Sequence, residues 1–210
     1  MDYTHVSKCM SLLLRHQPQK AHLDMDENGW VDMNQLVRNM NRYCRTNVSR
    51  EDILQIVKTD AKTRYALSVD ASKIRANQGH SIHVNMEFKP VEPPEVLFHG
   101  TGRKAVQSIL QSGISKMSRQ YVHLSADVNT AITVGKRHGS PCIFQIQAKE
   151  MYNNGYSFYR SENNVWLTDH VPCQFIQLLS SIVCLKEGHS KKTEHKPYFL
   201  EVNRRIDEDP

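Results

Sequence analysis

The sequence lacks the marks of several protein classes. Its 210 residues contain no apolar stretch near the roughly 20 residues that a membrane-spanning helix requires. The first residues, MDYTHVSK, have no apolar segment of a secretory signal, so we expect a cytoplasmic protein. No internal repeat or low-complexity run is visible. The chain is long for one domain and long enough for two small ones.

Cysteine is sparse and widely spaced. The five positions are Cys9, Cys44, Cys142, Cys173 and Cys184, and none forms a C-x-x-C pair. This pattern argues against a disulfide framework and a structural zinc site, and it fits a reducing cytosol. His80 and His83 lie close together, but alternate placement on a strand explains them more simply than a metal ion. We therefore expect no metal.

The N-terminal part predicts helices followed by a β-ribbon. Apolar residues at helical spacing predict a first helix, and they are Val6, Cys9, Met10, Leu13 and Leu14. Asp32 is placed to cap a second helix, and Ser49 with Asp52 forms a capping-box pattern for a third. The strands RYALSV and KIRAN follow, joined by a turn near Asp70. This order resembles a winged helix, a frequent nucleic-acid-binding arrangement, by analogy of fold alone.

The proline-rich stretch FKPVEPPEV predicts a stiff linker and a lobe boundary between residues 88 and 89. In residues 89–185, short strands with interposed helices predict an α+β lobe. In residues 186–210, 12 of 25 residues are charged, which predicts a mobile tail. The formal net charge of +5 is mild and spread over both lobes. It permits a nucleic-acid partner without requiring one.

Several short motifs carry residues suited to chemistry, although each has an ordinary explanation. Arg15 and His16 stand at the end of the first helix, where cations also complement the helix dipole. Lys73 and Arg75 share one side of a strand and could hold a phosphate or be solvated. His99 in LFHGT and His123 in YVHLS each follow a buried strand pattern. VGKRHG places a further arginine at a helix end.

The order of these motifs is more specific than any of them alone. R-H at a helix end, IRANQGHS, FHGT, R-x-x-V-H-L-S, G-x-R-H-G-x-P and N-x-V-W-L-T succeed one another over residues 7–172. Together with the D-x-x-G-W turn, this succession closely resembles the RNA 2′-phosphotransferase family. The resemblance covers roughly four fifths of the chain and excludes the tail. A composition this ordinary would not by itself have indicated that function.

The resemblance implies a fold and a reaction. It implies an α+β protein with an N-terminal winged-helix RNA lobe, a C-terminal ADP-ribosyltransferase-like lobe that binds NAD⁺, and a cleft between them. The RNA 2′-phosphate would attack the nicotinamide-bearing ribose carbon and expel nicotinamide. The ribose 2″-hydroxyl would then attack phosphorus in that ADP-ribosylated 2′-phosphate. The products are RNA with a 2′-hydroxyl, ADP-ribose 1″,2″-cyclic phosphate and nicotinamide, as at a tRNA splice junction.

The resemblance also implies site residues. The family's essential Arg-His-Arg-Arg set corresponds to Arg15, His16, Arg75 and Arg137. The NAD⁺ pocket would be formed by His99, Gly100, Thr101, His123, Ser125 and Val165, where Val165 stands in place of a glutamate common in other ADP-ribosyltransferases. Glu162, three residues earlier, reads as a loop charge. Possible RNA contacts are Lys73, Asn77, His80 and Arg119. NAD⁺ and RNA are the expected partners of a monomer.

Two other functions remain open from the residues. The protein could stop after the first step and ADP-ribosylate terminal nucleic-acid phosphates or a protein. It could instead be a winged-helix RNA-binding protein without catalysis. Intact residues at all four positions of the Arg-His-Arg-Arg set favour the complete reaction over both.

Overall fold

The computed structural model describes residues 3–179, and these fold around two separate hydrophobic cores. The first core lies among helices and a small sheet built from α1 (Tyr3–Arg15), β1 (Val31–Asp32), α2 (Met33–Cys44), α3 (Arg50–Thr59), β2 (Tyr65–Leu67) and β3 (Lys73–Ala76). The predicted apolar face of α1 is buried as expected. The boundary between residues 88 and 89 stays a prediction, although each core draws its buried residues from one side of it.

Local sequence explains where the helices of the first core begin. The Asp32 carboxylate accepts a hydrogen bond from the Gln35 backbone N–H at 2.7 Å and caps α2. At α3, the Ser49 hydroxyl accepts from the Asp52 N–H, and the Asp52 carboxylate accepts from the Ser49 N–H. Both predicted caps are therefore confirmed. The sheet has the order β1-β3-β2 with antiparallel pairing, which places β3 in its centre.

One expectation about cysteine is wrong. Cys9 on α1 and Cys44 at the end of α2 are joined by a disulfide, with their Cα atoms 6.6 Å apart. The sequence separation of 35 residues carries no sign of this pairing. It arises because the two helices pack side by side in the first core, which only the tertiary structure shows.

The second core lies among antiparallel sheets and short helices. Its elements are β4 (Leu97–Gly102), α4 (Val106–Ser112), β5 (Ile114–Ser115), β6 (Val122–Leu124), α5 (Val128–Gly135), β7 (Pro141–Ile146), α6 (Ala148–Asn153), β8 (Phe158–Arg160), β9 (Trp166–Thr168), β10 (His170–Val171) and β11 (Ile176–Leu179). The strand orders are β11-β7-β4, β6-β9-β8 and β10-β5. Paired backbone hydrogen bonds of 2.8 Å between Phe98 and Ser125 connect the first two of these sheets. The described chain is thus α+β, as the sequence predicts.

The segment after β3 departs from its prediction. Alternation from His80 to Val84 predicts a strand, yet this segment has no strand partner. The side chains of this segment do alternate in burial, since His80 and Val84 are buried while His83 is exposed. Gly79, with a φ of +90°, ends the extended run, and the backbone beyond it bonds to neighbouring loops. The charged tail of residues 186–210 lies outside the described residues.

Gly100 fixes how closely α5 packs on β4. A Cβ atom at this position would lie 1.7 Å from the Ala131 carbonyl oxygen of α5. No flexible side chain is available to move away, since the clash is with backbone. The helix therefore approaches the strand that carries His99 only because residue 100 is glycine.

We predict that Gly100→Ala lowers the free energy of unfolding by at least about 2 kcal/mol, because overpacking forces α5 from β4. Chemical denaturation measures the effect. For comparison, Gly155→Ala places a Cβ where no atom lies within 4 Å, although a φ of +88° strains an alanine at that position. An unchanged free energy of unfolding in Gly100→Ala would show that close packing at this position is unimportant.

Candidate active site

Arg15 and His16 lie where α1 ends, and the segment after β3 holds them in place. The chain leaves the helix through Pro18, which cannot continue the helical hydrogen bonding. The Arg15 guanidinium packs beside Gly79, where an added Cβ would lie 3.7 Å from Nη1. Among residues 3–179, no group accepts a hydrogen bond from the buried Nε and Nη2 of Arg15. Burial is the largest cause that lowers the pKa of Arg15, and the nearby charges of Arg64 and Arg119 lower it further.

Arg75 is held by contacts from both halves of the molecule. Its guanidinium carbon lies 4.5 Å from the centroid of the Trp30 ring, which is a cation–π contact. Its Nη2 donates to Oε1 of Glu162 at 3.0 Å, while the buried Nε has no partner in the part of the chain that the structure describes. Trp30 follows a turn in which Asp26 Oδ1 accepts from the Trp30 N–H at 2.8 Å. The D-x-x-G-W motif therefore supports the Arg75 guanidinium.

Arg119 and Arg137 bring positive charge from the second half of the molecule. The pKa of Arg119 is lowered mainly by burial and also by the nearby charge of Arg137. Arg119 in turn contributes to the lowered pKa of Arg15, so these cations are near enough to repel one another. Lys62 has a lowered pKa from burial and from Arg137. Arg137 itself is exposed on the short 3₁₀ helix Lys136–His138.

The two histidines of the second half lie together. His99 Nδ1 is 3.2 Å from the carbonyl oxygen of His123. Burial lowers the pKa of both rings, that of His123 to about 3, so both are neutral near pH 7. His123 Nε2 is buried and without a partner. His80 and His123 line the same small cavity, which joins the two halves.

The remaining predicted residues fall into two groups. Thr101 lies on β4, the strand of His99, while Ser125 follows β6, the strand of His123, and Val165 precedes β9, which pairs with β6. Lys73 pairs with Asp26 at 3.4 Å. Asn77 donates to the Thr63 carbonyl at 2.8 Å, which supports the loop before β2. Lys73 and Asn77 thus have structural partners of their own.

The reading of Glu162 as a plain loop charge is wrong. It sits in the turn of residues 161–165, and that turn reaches across to the first core. Besides the Glu162–Arg75 pair, Asn163 Nδ2 donates to the Lys62 carbonyl at 3.0 Å. The turn itself is closed by hydrogen bonds between Ser161 and Val165. Sequence reasoning missed this contact because the partners are 87 residues apart.

These side chains create a cluster of cations in which the Glu162 carboxylate pairs with Arg75. The pKa values of Arg15, His16, His80 and Arg119 are all lowered, chiefly by burial and with contributions from neighbouring cations. Buried guanidinium donors without partners are costly unless an anion completes them. Arginine forks bind phosphate bidentately. The arrangement is therefore suited to a phosphate group that reaches the junction of the two halves.

Sequence comparisons agree with this chemistry. The family model described as "RNA 2'-phosphotransferase, Tpt1 / KptA family" matches residues 2–170. The chain belongs to this RNA 2′-phosphotransferase family. It is 49% identical over 175 residues to "Probable RNA 2'-phosphotransferase" of Hahella chejuensis, covering 83% of this chain and 94% of that protein. It is 46% identical over 170 residues to the protein of the same name from Acaryochloris marina, covering 81% and 93%.

Membership makes the chain an enzyme of the transferase class that acts on RNA. Across residues 3–179, no helix has the length and apolarity to cross a bilayer. Roles for the individual site residues stay predictions, since the similarity is to whole chains.

We predict that burial of His80, in a cluster of cations, makes stability fall on acidification. Burial, followed by Arg15 and other neighbours, lowers the pKa of His80 to about 4 from 6.5. The unfolded chain therefore binds the proton first, and stability present above pH 6.5 is lost as the pH falls toward 4. The slope is at most about 1.4 kcal/mol per pH unit for this group.

Urea unfolding between pH 7.5 and 4.5 measures this slope. His80→Gln should flatten it, whereas His83→Gln, at an exposed position three residues along, should leave it unchanged. If both variants keep the wild-type slope, His80 is not held neutral by its surroundings.

Proposed function

We propose that this protein is an NAD⁺-dependent enzyme that removes an internal 2′-phosphate from RNA, of the kind left at a tRNA splice junction. The RNA 2′-phosphate displaces nicotinamide and becomes ADP-ribosylated. Attack by the ribose 2″-hydroxyl on phosphorus then breaks the bond to the RNA 2′-oxygen. Release of RNA with a 2′-hydroxyl, ADP-ribose 1″,2″-cyclic phosphate and nicotinamide completes the reaction.

The observation that carries this proposal is the unpaired positive charge between the two cores. A phosphate is already an anionic nucleophile, so the first step requires orientation rather than a general base. Arg15 and Arg75 offer buried donors without partners, Nε and Nη2 of one and Nε of the other. We assign them the phosphate. Arg137, which is exposed and close enough to Arg119 to lower the pKa of that side chain, would contact the same group.

The second step requires stabilisation of charge and a proton transfer. Negative charge builds on the phosphoryl oxygens, and positioned guanidinium groups stabilise it. A proton must leave the attacking hydroxyl and reach the departing 2′-oxygen. We assign this transfer to His16, whose pKa is lowered by burial, Arg15 and Arg119, so that a neutral ring is present near pH 7.

Residues of the second core fit NAD⁺. NAD⁺, as co-substrate, supplies the ribose carbon that accepts the phosphate. His99 and His123 would hold its ribose, since both are neutral and the His123 Nε2 atom is buried without a partner. Neutral rings can hydrogen-bond hydroxyls without repelling a cationic nicotinamide. Thr101, Ser125 and the backbone at Gly100 would complete the pocket beside the apolar Val165. Among the possible RNA contacts we favour Arg119, because Lys73 and Asn77 have partners of their own and His80 is buried.

We also propose a lobe type for each half of the molecule and a cellular compartment for the reaction. Helices followed by the β1-β3-β2 sheet support a winged-helix lobe for RNA. The paired antiparallel sheets with His99 and His123 support an ADP-ribosyltransferase-like lobe. The protein would act as a monomer in the cytoplasm, where RNA and NAD⁺ are both present. The Cys9–Cys44 bridge would there be open to reduction.

A single reaction tests the proposal. The protein is incubated with NAD⁺ and an oligonucleotide that bears one internal 2′-phosphate, and nicotinamide, cyclic phosphate and dephosphorylated RNA are quantified. All three should form in equal amounts. Stable ADP-ribosylated product without cyclic phosphate would favour an enzyme that stops after the first step. Tight RNA binding without nicotinamide release would favour a non-catalytic protein.

We predict that Arg15→Ala and Arg137→Ala each slow formation of 2′-hydroxyl RNA at least about a hundredfold, because each removes a donor to the charged phosphoryl group. Circular dichroism should show that both variants remain folded. Arg42→Ala, at an exposed position of α2, is the control and should react like the wild type. Wild-type turnover by either site variant would refute the assignment of that arginine.

A further inference from the structure

We propose that Ser81 is a positioning residue that orients the ring of His16 for the second step. The inference rests on the proposed function and deepens it. Ser81 is the last residue of the IRANQGHS motif, but the family resemblance gives it no role. Because its hydroxyl binds one ring nitrogen of His16, the other ring nitrogen is left for the substrate.

The contact is direct. Ser81 Oγ lies 2.9 Å from His16 Nδ1, across 65 residues of sequence. The backbone N–H of Ser81 also donates to the Arg15 carbonyl oxygen at 2.9 Å. One residue therefore binds both the backbone of α1 at its tip and the side chain that follows it. These two bonds restrain the position and the rotation of the imidazole together.

Ser81 is itself fixed by contacts on both sides. Just before it, Gly79 packs against the Arg15 side chain with a φ of +90°. The carbonyl of His80, which is 2% exposed, accepts from the Gln120 N–H at 3.1 Å. Gln120 Nε2 donates to the Val84 carbonyl at 2.9 Å, just beyond Ser81. The second core thereby holds the segment that carries the serine, so its hydroxyl is a preorganised partner.

The chemistry explains why one nitrogen must be reserved. A neutral imidazole has one N–H and one lone pair, and their assignment depends on the partner of each nitrogen. In the tautomer whose Nδ1–H donates to the Ser81 hydroxyl oxygen, Nε2 carries the lone pair and can exchange a proton with substrate. In the second step Nε2 accepts the proton of the attacking 2″-hydroxyl, a P–O bond forms, the P–O2′ bond breaks, and the same proton passes to the 2′-oxygen. No net charge or redox change results.

Ser81→Ala isolates this role. It removes the hydroxyl but keeps the backbone N–H that donates to Arg15, so the helix tip stays in place. We expect the rate of cyclic-phosphate formation to fall about tenfold to a hundredfold, part of what a general acid–base residue contributes. Nicotinamide release in a single turnover should stay within about twofold of wild type, because the first step needs no proton transfer. ADP-ribosylated RNA should therefore accumulate.

A double-mutant cycle separates positioning from a general structural effect. In a His16→Ala background, Ser81→Ala should change the rate of the second step less than about twofold. Ser81→Thr keeps a hydroxyl and should restore at least half of the wild-type rate. Ser108→Ala, the same change at an exposed position of α4, is the matched control and should react normally.

Equal losses from Ser81→Ala in the wild-type and His16→Ala backgrounds would overturn the proposal, as would unchanged second-step kinetics in Ser81→Ala. Either result leaves the proposed function intact when wild-type protein still forms cyclic phosphate. Failure of the wild type itself to release nicotinamide with 2′-phosphorylated RNA would instead contradict the proposed function.

Discussion

Burial of Arg15 Nε and Nη2 without an anionic partner among residues 3–179 is the constraint on which the site depends. Both nitrogen atoms lie at the tip of α1, and other cations are close to them. Such an arrangement costs stability unless a ligand supplies negative charge. The protein tolerates that cost because the helix tip is held by Gly79 and Ser81 and because two hydrophobic cores support it.

The same constraint explains the contacts between the two halves. Glu162 reaches from the second half to the Nη2 edge of Arg75, so a carboxylate already neutralises part of the charge. Trp30 covers the face of that guanidinium and leaves its buried Nε for a ligand. Asn163 and Gln120 add uncharged hydrogen bonds between the halves. The residues around the site therefore hold the cationic side chains in fixed positions and pair only some of them with carboxylates.

Sequence patterns predicted the elements better than the contacts between them. Helical spacing and capping residues located α1, α2 and α3, because these features act over a few residues. The succession of motifs also predicted Arg15, Arg75 and Arg137 as site residues. The Glu162–Arg75 pair, the Ser81–His16 bond and the Cys9–Cys44 bridge were not predictable, since they join positions that only tertiary packing brings together. The segment at His80 was wrongly predicted to be a strand, because its side chains alternate in burial although no strand of the described residues pairs with it.

We expect both halves of the molecule to form one site for an RNA 2′-phosphate. Equilibrium binding in the absence of NAD⁺ can be measured with two oligonucleotides that differ only in an internal 2′-phosphate or 2′-hydroxyl. The phosphorylated strand should bind at least about tenfold more tightly, and Arg15→Ala should remove this preference while retaining the weaker binding. Equal affinity of the wild-type protein for the two strands would show that the halves do not form such a site.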